Sequence, residues 1–158
     1  TNVRISERVD NAVRAMAELA SGELAEQQGR AIKADAIAKR QDISLKYLLD
    51  ILRDLKRAEL VRSKRGPDGG FMLSRPAAEI SLADVFRALE GPIASVRGVA
   101  PEDLAYEGAA AHLRDVWVAT RAALRSVLEN ITVADLVEGD LPKETQALLS
   151  QPGAWERR

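Results

Sequence analysis

The sequence predicts a mostly α-helical fold that carries one small β-hairpin. Ala and Leu are abundant, and aromatic residues make up only 4% of the chain, a composition that favours helices. Apolar residues recur at spacings of three and four through several segments, as they do in amphipathic helices. Between two such segments, residues 60–74 form two short apolar runs on either side of a glycine-rich tip, which indicates a hairpin.

The first helix is predicted to begin after Ser6. A serine at this position can accept a hydrogen bond from the free N–H groups of a helix start, and the acidic Glu7 in the first turn favours the same start. We expect the helix to end near Ser21-Gly22, followed by a polar loop at residues 23–30. Its buried stripe is predicted to consist of Val9, Ala12, Val13, Met16, Leu19 and Ala20.

Two helices separated by a tight turn are predicted next. A short helix that begins at Lys33 or Asp35 is closed by the polar pair Gln41-Asp42. Leu49 lies outside the apolar stripe of the second helix, and we expect it to pack against another helix. Ser44 opens this second helix, whose stripe runs along Leu45, Leu48, Ile51, Leu52, Leu55 and Ala58.

The polar side of the second helix is a candidate surface for contacts with DNA. In a helix-turn-helix, the N-terminal end of the second helix enters the major groove, and here that end begins with Ser44. Lys46 and Arg53 are placed to reach phosphate or guanine. Tyr47 can contact phosphate or sugar, and Asp50 can accept from the amino group of cytosine.

The hairpin adds a second candidate contact with DNA. Leu60–Lys64 and Phe71–Ser74 are predicted to be its strands, and Arg65–Gly70 its tip. An arginine at such a tip meets concentrated negative potential when it enters a minor groove. Arg65 is therefore predicted to lie in the minor groove.

The charge distribution supports this division of the chain. Residues 1–76 hold 15 Lys or Arg against 11 Asp or Glu, a net charge of +4, whereas residues 77–158 hold 8 against 13, a net charge of −5. Residues 39–65 alone hold 9 basic and 4 acidic residues, a net charge of +5. A basic half joined to an acidic half suits a DNA-binding repressor. The alternative is that these charges only solvate a helix face.

The second half of the chain predicts further helices around a structured loop. Ser81 to Asp84 resembles a capping box that starts a helix, and Thr132 to Asp135 starts a short helix that ends at Gly139. Residues 92–110 are expected to form a loop with a short helix around 102–104. The tail is expected to hold a turn of helix near 144–149, and Trp155 is interpreted either as a packing anchor or as loosely ordered.

The longest helix is predicted at about residues 112–130. Its apolar residues recur at a spacing near 3.5, which is typical of a seam between partner helices, although an ordinary core-facing stripe has a similar pattern. A second copy of the chain would cover such a seam most simply, and the two copies would match a palindromic DNA site. The predicted dimerisation residues are Leu113, Val116, Thr120, Leu124, Val127 and Ile131.

Several classes of function are disfavoured by what the sequence lacks. The chain has no cysteine, which removes disulfides, thiolate metal sites and cysteine nucleophiles. His112 is the only histidine, and no catalytic motif accompanies it, so we expect no enzymatic activity and no catalytic or metal-binding residues. Without an apolar run of about 20 residues or a recognisable signal peptide, we expect a cytoplasmic protein that does not contact the membrane.

Three segments of the chain resemble the Rrf2 family of bacterial transcription regulators. These are residues 43–48, residues 60–73, which are the most specific, and residues 130–137. The resemblance extends over nearly the full length. It implies a winged helix-turn-helix, a long dimerisation helix and homodimers on palindromic promoter DNA. The matched DNA-contacting residues are Ser44, Lys46, Tyr47, Asp50, Arg65 and Gly66.

The sequence departs from this family at its best-known cofactor. Many similar proteins bind an iron–sulfur cluster through cysteines in the loop before the dimerisation helix. Here Gly98 and Ala111 occupy the first and last of these positions, and Arg114 replaces a histidine ligand of some members. Because no thiolate is available, we expect no cluster and no cofactor.

A small-molecule effector is a possible replacement for the cluster. A pocket with aromatic walls and a few cations would suit an anionic metabolite. The alternative is that these residues only pack the loop down, and some family members respond to a partner enzyme instead. The candidate pocket residues are Val96, Arg97, Tyr106, His112, Arg114 and Trp117.

These expectations divide the chain into three parts. Residues 1–80 are expected to form the winged helix-turn-helix, residues 81–140 the sensor loop and dimerisation helix, and residues 141–158 a tail. The remaining alternative for function is a dimer on the same scaffold that binds a protein or a metabolite but not DNA.

Overall fold

The computed structural model describes residues 4–24 and 30–158, and most of the polar loop predicted at residues 23–30 lies outside them. The predicted fold class is confirmed, because the described chain is mostly helical with a two-stranded antiparallel hairpin. No helix in these two ranges is long and apolar enough to cross a bilayer. The elements are α1 (Glu7–Leu24), α2 (Ala34–Gln41), α3 (Leu45–Arg57), β1 (Val61–Lys64), β2 (Gly70–Leu73), α4 (Leu82–Glu90), α5 (Leu113–Leu128), α6 (Val133–Glu138) and α7 (Lys143–Leu149).

The helix starts follow the capping signals of the sequence. The Ser6 hydroxyl accepts from the N–H of Val9 at 3.1 Å, which fixes the start of α1. Ser81 and Asp84 form a reciprocal capping box at the start of α4. Thr132 and Asp135 form another at the start of α6. Each cap joins residues that are at most four positions apart in the chain, so it can form whatever packs around the helix.

Helix α1 lies at the centre of the fold and contacts α2, α3, α4, α6 and β2. Met16 is fully buried on α1, as are Leu48 and Leu52 on α3. Val85 of α4 and Val133 of α6 join the same core, so the second half of the chain contributes to the packing of the first. Burying each such side chain stabilises the fold by about 1.5–3 kcal/mol. The helix-turn-helix therefore sits on a rigid support.

A left-handed residue makes the turn between α2 and α3. Asp42 has φ 52° and ψ 52°, and its N–H bonds to the carbonyl of Ala38, which ends α2. The N–H of Ile43 bonds to the same carbonyl at 2.9 Å, and the Ile43 side chain is buried. This closing pattern turns the chain within two residues. It thereby sets the angle at which α3 leaves α2.

The hairpin is joined to the segment before α2. Its strands pair Val61 with Leu73 and Lys64 with Gly70. Ile32 forms an isolated antiparallel bridge with Phe71, next to Gly70. A Cβ on Gly70 would lie 2.4 Å from the Ile32 carbonyl oxygen, so this close approach requires glycine.

The segments that lead into α4 and α6 pair with each other, and α5 lies between these two helices in the chain. The N–H of Leu82 bonds to the carbonyl of Ile131, and the N–H of Val133 bonds to that of Ile80, each at 2.9 Å.

The prediction that α5 would be the longest helix is wrong, because α5 has 16 residues and α1 has 18. The predicted α5 was too long because residues 129–131 turn away to form this pairing.

Candidate nucleic-acid interface

The side of α3 opposite its buried stripe is polar and exposed. Tyr47 is 66% exposed, and Lys46 is also exposed. Ser44 is the N-cap residue of α3, but its hydroxyl forms no hydrogen bond with the helix start. That hydroxyl and the free N–H groups of the first turn therefore remain available to a phosphate oxygen. These three residues lie where a helix-turn-helix meets DNA.

Two of the predicted contact residues bind each other. The guanidinium of Arg53 donates to the carboxylate of Asp50. The guanidinium of Arg8, from α1, lies 3.7 Å from the same carboxylate and donates to Asp54 on the next turn of α3. Asp50 thus accepts a hydrogen bond from Arg53 and forms a longer ion pair with Arg8. It holds Arg53 against the helix and offsets one positive charge of this face.

Sequence reasoning did not find Arg8. It lies 46 residues before Asp54 in the chain, and no local pattern connects them. The only signal is that two acidic residues, Asp50 and Asp54, lie one turn apart on a helix that is otherwise basic. Such a pair indicates a cationic partner but does not identify it.

The prediction that Leu49 packs against another helix is wrong. Leu49 is 45% exposed, and Leu45, one turn before it, is 44% exposed. The core is filled by Leu48, Ile51 and other residues of the buried stripe of α3, beside which Leu49 lies. Helical spacing placed Leu49 on the flank correctly, but the flank faces solvent.

The hairpin tip presents its arginine to solvent. Arg65 is exposed, and Gly66 has φ +101° with no atom of the described residues within 4 Å of a Cβ built on it. The ammonium of Lys56 on α3 donates to the hydroxyl of Ser63 on β1 at 2.8 Å. This contact shows that the side of α3 bearing Lys56 faces the hairpin. The hairpin is therefore linked to α3 by this contact and to the segment before α2 by the Ile32–Phe71 bridge.

Helix α5 contains no buried residue within a single chain. Val116 is 52% exposed, although it is apolar. Ile131 departs from the predicted seam, because it lies after α5 and is 6% exposed, with its side chain in the core of one chain. The five other predicted residues follow one side of α5 at spacings of three and four: Leu113, Val116, Thr120, Leu124 and Val127.

The other side of α5 packs against the loop that precedes it. Pro101 and Leu104 of this loop are buried. The Arg121 side chain is 13% exposed and donates to the carboxylate of Glu102 at 2.5 Å. A hydrogen bond from its own backbone N–H, followed by that from Arg121, lowers the pKa of Glu102 below its ordinary value. Glu102 therefore stays ionised, and its ion pair with Arg121 joins the loop to α5.

The candidate effector residues lie along this loop and the start of α5. Val96 bridges to Val99 through two 2.9 Å backbone hydrogen bonds, and Arg97 between them has φ +52°. The indole N–H of Trp117 is buried without a hydrogen-bond partner among the described residues. The remaining candidates differ in exposure. His112, Arg114 and Arg97 are exposed, whereas Tyr106 and Val96 are half-buried.

A cleft of about 800 Å³ lies elsewhere, between the end of α1, the start of α2 and the hairpin tip. Lys33 and Arg40 line it on the α2 side, and Lys64 and Asp68 on the hairpin side. Arg40 is engaged with Glu18 at 3.3 Å. The cleft borders the residues outside the described ranges.

Comparisons with known proteins agree with this arrangement. The model of the Rrf2 family, described as an iron-dependent transcriptional regulator, matches residues 5–139. A Mycobacterium tuberculosis protein named as a candidate HTH-type transcriptional regulator is 45% identical over 154 residues, which cover 98% of this chain and 93% of that protein. The HTH-type transcriptional regulator CymR of Bacillus subtilis is 34% identical over 115 residues, which cover 72% of this chain and 78% of CymR.

Solved structures show the same fold. The structure of CymR, the global cysteine regulator of B. subtilis, superposes with a TM-score of 0.73 at 29% identity, covering 87% of this chain and 98% of CymR. T. potens IscR superposes with a TM-score of 0.69 at 27% identity, covering 96% of this chain and 95% of IscR.

Proposed function

Since the chain belongs to the Rrf2 family of transcriptional regulators, we propose that it is a repressor that binds a palindromic operator as a homodimer. The fold is the family's winged helix-turn-helix, and the named relatives are regulators rather than enzymes. What the relatives leave open is the set of residues that contact DNA, the dimer surface and the signal.

The observation that carries this proposal is the exposed polar side of α3 together with an exposed arginine at the tip of the hairpin that α3 contacts. Lys46, Tyr47 and the hydroxyl of Ser44 supply phosphate and base contacts at the front of α3. Arg65 with Gly66 enters the neighbouring minor groove. Because these groups are mostly cationic or hydrogen-bond donors, affinity should fall steeply with salt.

In this proposal, Asp50 and Arg53 bind each other in the free protein and separate on DNA. Free of DNA, the Asp50 carboxylate accepts from Arg53. On DNA, a phosphate competes for the guanidinium of Arg53, and Asp50 is then able to accept from a cytosine amino group. Charged groups that are already oriented lose less conformational entropy on binding.

The apolar side of α5 supports the homodimer. Val116 is exposed in the single chain, and its neighbours Leu113 and Val127 continue the same side of the helix. A second copy related by twofold symmetry would bury these side chains against the same residues of its own α5. It would also present two copies of α3 one helical turn apart on DNA.

An iron–sulfur cluster does not fit this chain. The family description includes iron dependence, yet the sequence has no cysteine, and the described residues contain no group of three His, Asp or Glu side chains able to hold a metal ion. Carboxylates and a single imidazole are poor ligands for iron–sulfur clusters, which are held by thiolates. We therefore assign no cluster to the regulatory step.

We place a small-molecule effector instead on the loop and helix start around Trp117. The buried, unpartnered indole N–H of Trp117 is a donor that an anionic ligand or a water could satisfy. Arg97 of the preceding loop and Arg114 of α5 are both exposed cations that could attract an anionic ligand. A ligand there would act on α5 and so on the spacing of the two α3 helices. A metabolite thermal-shift screen tests this part.

The central test is recovery of genomic DNA fragments by the purified protein, followed by affinity measurements on one of them. Arg65→Ala and Tyr47→Ala should each weaken binding about tenfold or more, since a good DNA contact contributes about 1–3 kcal/mol. Lys143→Ala, which removes an exposed cation from α7, should leave affinity unchanged. If neither of the first two variants weakens binding, the alternative of a dimer that binds protein rather than DNA gains support.

Repression is tested separately, by measuring transcription in a strain that lacks the gene. Deletion of the gene should raise transcription next to the recovered fragments. A fall in transcription would identify an activator instead.

A further inference from the structure

The front of α3 has an apolar edge beside its polar face. Leu45 and Leu49, one turn apart, expose 44% and 45% of their surface. A single exposed leucine is common on proteins and means little. Two on adjacent turns of the helix that enters the major groove form a continuous apolar strip, and they lie among residues that would be closest to the bases.

The surroundings of this strip are cationic. Lys46 and Arg53 lie next to Leu49 on the helix, and Lys56 lies two turns after it on the same side. The Lys56 contact with Ser63 shows that this side of α3 faces the hairpin. An apolar strip framed by positive charge complements a surface that is anionic at its edges and apolar at its centre.

Duplex DNA offers such a surface. Its phosphates are anionic, and the only apolar group on the major-groove edge of the base pairs is the 5-methyl group of thymine. A second copy of the chain is a poorer match, because the apolar side of α5 already provides a more extensive surface for it.

We propose that Leu49, supported by Leu45, contacts the 5-methyl group of one thymine in each half-site and so makes thymine preferred there. This inference rests on the proposed function. Leu49 would bury its exposed methyl groups against the thymine methyl, whereas cytosine would present a polar amino group and leave the leucine without an apolar contact.

The test separates the methyl group from every other feature of thymine. The full-length protein first selects its site from a random duplex library. Each thymine of that site is then replaced by deoxyuridine, which lacks only the 5-methyl group. Affinities are measured by fluorescence anisotropy for the unmodified protein, for Leu49→Ala, and for Leu148→Ala, which truncates a 41% exposed leucine on α7.

For the unmodified protein, deoxyuridine at one thymine should weaken binding about fourfold in each half-site, the effect of losing one buried methyl group. Leu49→Ala should bind the thymine site more weakly and no longer distinguish it from the deoxyuridine site. Leu148→Ala should behave like the unmodified protein.

Three results would overturn the inference. The first is an unmodified protein that is insensitive to every deoxyuridine, and the second is a Leu49→Ala protein that keeps the same sensitivity. The third is a Leu49→Ala protein that loses affinity for all sequences equally while its sedimentation changes, which would assign Leu49 to a protein contact. If the library yields no enriched sequence, the proposed function fails, and the inference fails with it.

Discussion

Ile32 and Phe71 exchange both of their backbone hydrogen bonds. The N–H of Ile32 donates to the Phe71 carbonyl at 2.8 Å, and the N–H of Phe71 donates to the Ile32 carbonyl at 2.7 Å. This pair joins the hairpin to the segment that leads into α2. The bridge thereby ties the hairpin that carries Arg65 to the segment that begins the helix-turn-helix.

Gly70→Ala should break this junction. Gly70 has φ +148°, and a Cβ there would lie 2.4 Å from the Ile32 carbonyl oxygen, so both the backbone and the bridge would have to shift. We expect a loss of about 1–3 kcal/mol in the free energy of unfolding, the usual cost of a residue held in a disfavoured conformation. DNA affinity should also fall, because the tip loses its position. Urea denaturation and anisotropy measure the two effects.

Gly108→Ala is the matched control for this change. Gly108 also has a positive φ, +63°, but within the described parts of the chain no atom lies within 4 Å of a Cβ built on it. It should cost about 1–2 kcal/mol through the backbone alone and leave DNA affinity intact. Equal losses of DNA affinity in the two variants would contradict a specific role for the bridge.

Asp50→Asn should free Arg53 for DNA. The substitution removes a carboxylate from the DNA-facing side and releases the guanidinium that it holds. Affinity for non-specific DNA should rise several-fold, and the magnitude of the salt slope should rise by about 0.9 for each phosphate newly contacted. Stability should change by less than about 1 kcal/mol, since this ion pair is largely exposed.

Glu138→Gln serves as the comparison for Asp50→Asn, because it removes the same charge from an exposed residue of α6. It should leave the salt slope unchanged. An Asp50→Asn protein with an unaltered slope would show that Arg53 does not turn to phosphate.

The sequence predicted those features that depend on neighbouring residues. The capping box of Ser81 and Asp84 was recognisable because its two residues are three apart. The pairing of Arg8 with Asp54 spans 46 residues and depends on how α1 crosses α3, so no local pattern contains it. The bridge between Ile32 and Phe71 was missed for the same reason.

Leu49 illustrates a different limit. Helical periodicity determines the side of a helix on which a residue lies, but not whether another element covers that side. The burial of Leu48 and the exposure of Leu49 follow from where α1 and α2 lie, which is a tertiary property. Periodicity alone predicts a protein partner for an apolar residue on a flank, whereas none of the described elements covers Leu49.

The protein purified without oxygen should be colourless. The chain has no thiolate ligands for iron, so visible absorbance and stoichiometric iron should both be absent. Absorption spectra and elemental analysis of the anaerobic protein measure this. Recovery of one iron–sulfur cluster per chain would show that carboxylate or imidazole ligands suffice, and would restore iron as the signal.

Val116→Glu should separate the two copies of the proposed dimer. Val116 is 52% exposed in the single chain, so a glutamate there meets water in the monomer but an apolar surface in the dimer. Burying a charge without a partner costs several kcal/mol, which should weaken dimerisation at least about 100-fold. Sedimentation velocity should then show a monomer at concentrations where the unmodified protein is a dimer, and affinity for a two-half-site operator should fall with it.

Leu148→Glu places the same charge on the 41% exposed Leu148 of α7 and should change neither measurement. A Val116→Glu protein that still sediments as a dimer would assign the dimer contact to another surface and leave the apolar side of α5 without its proposed partner.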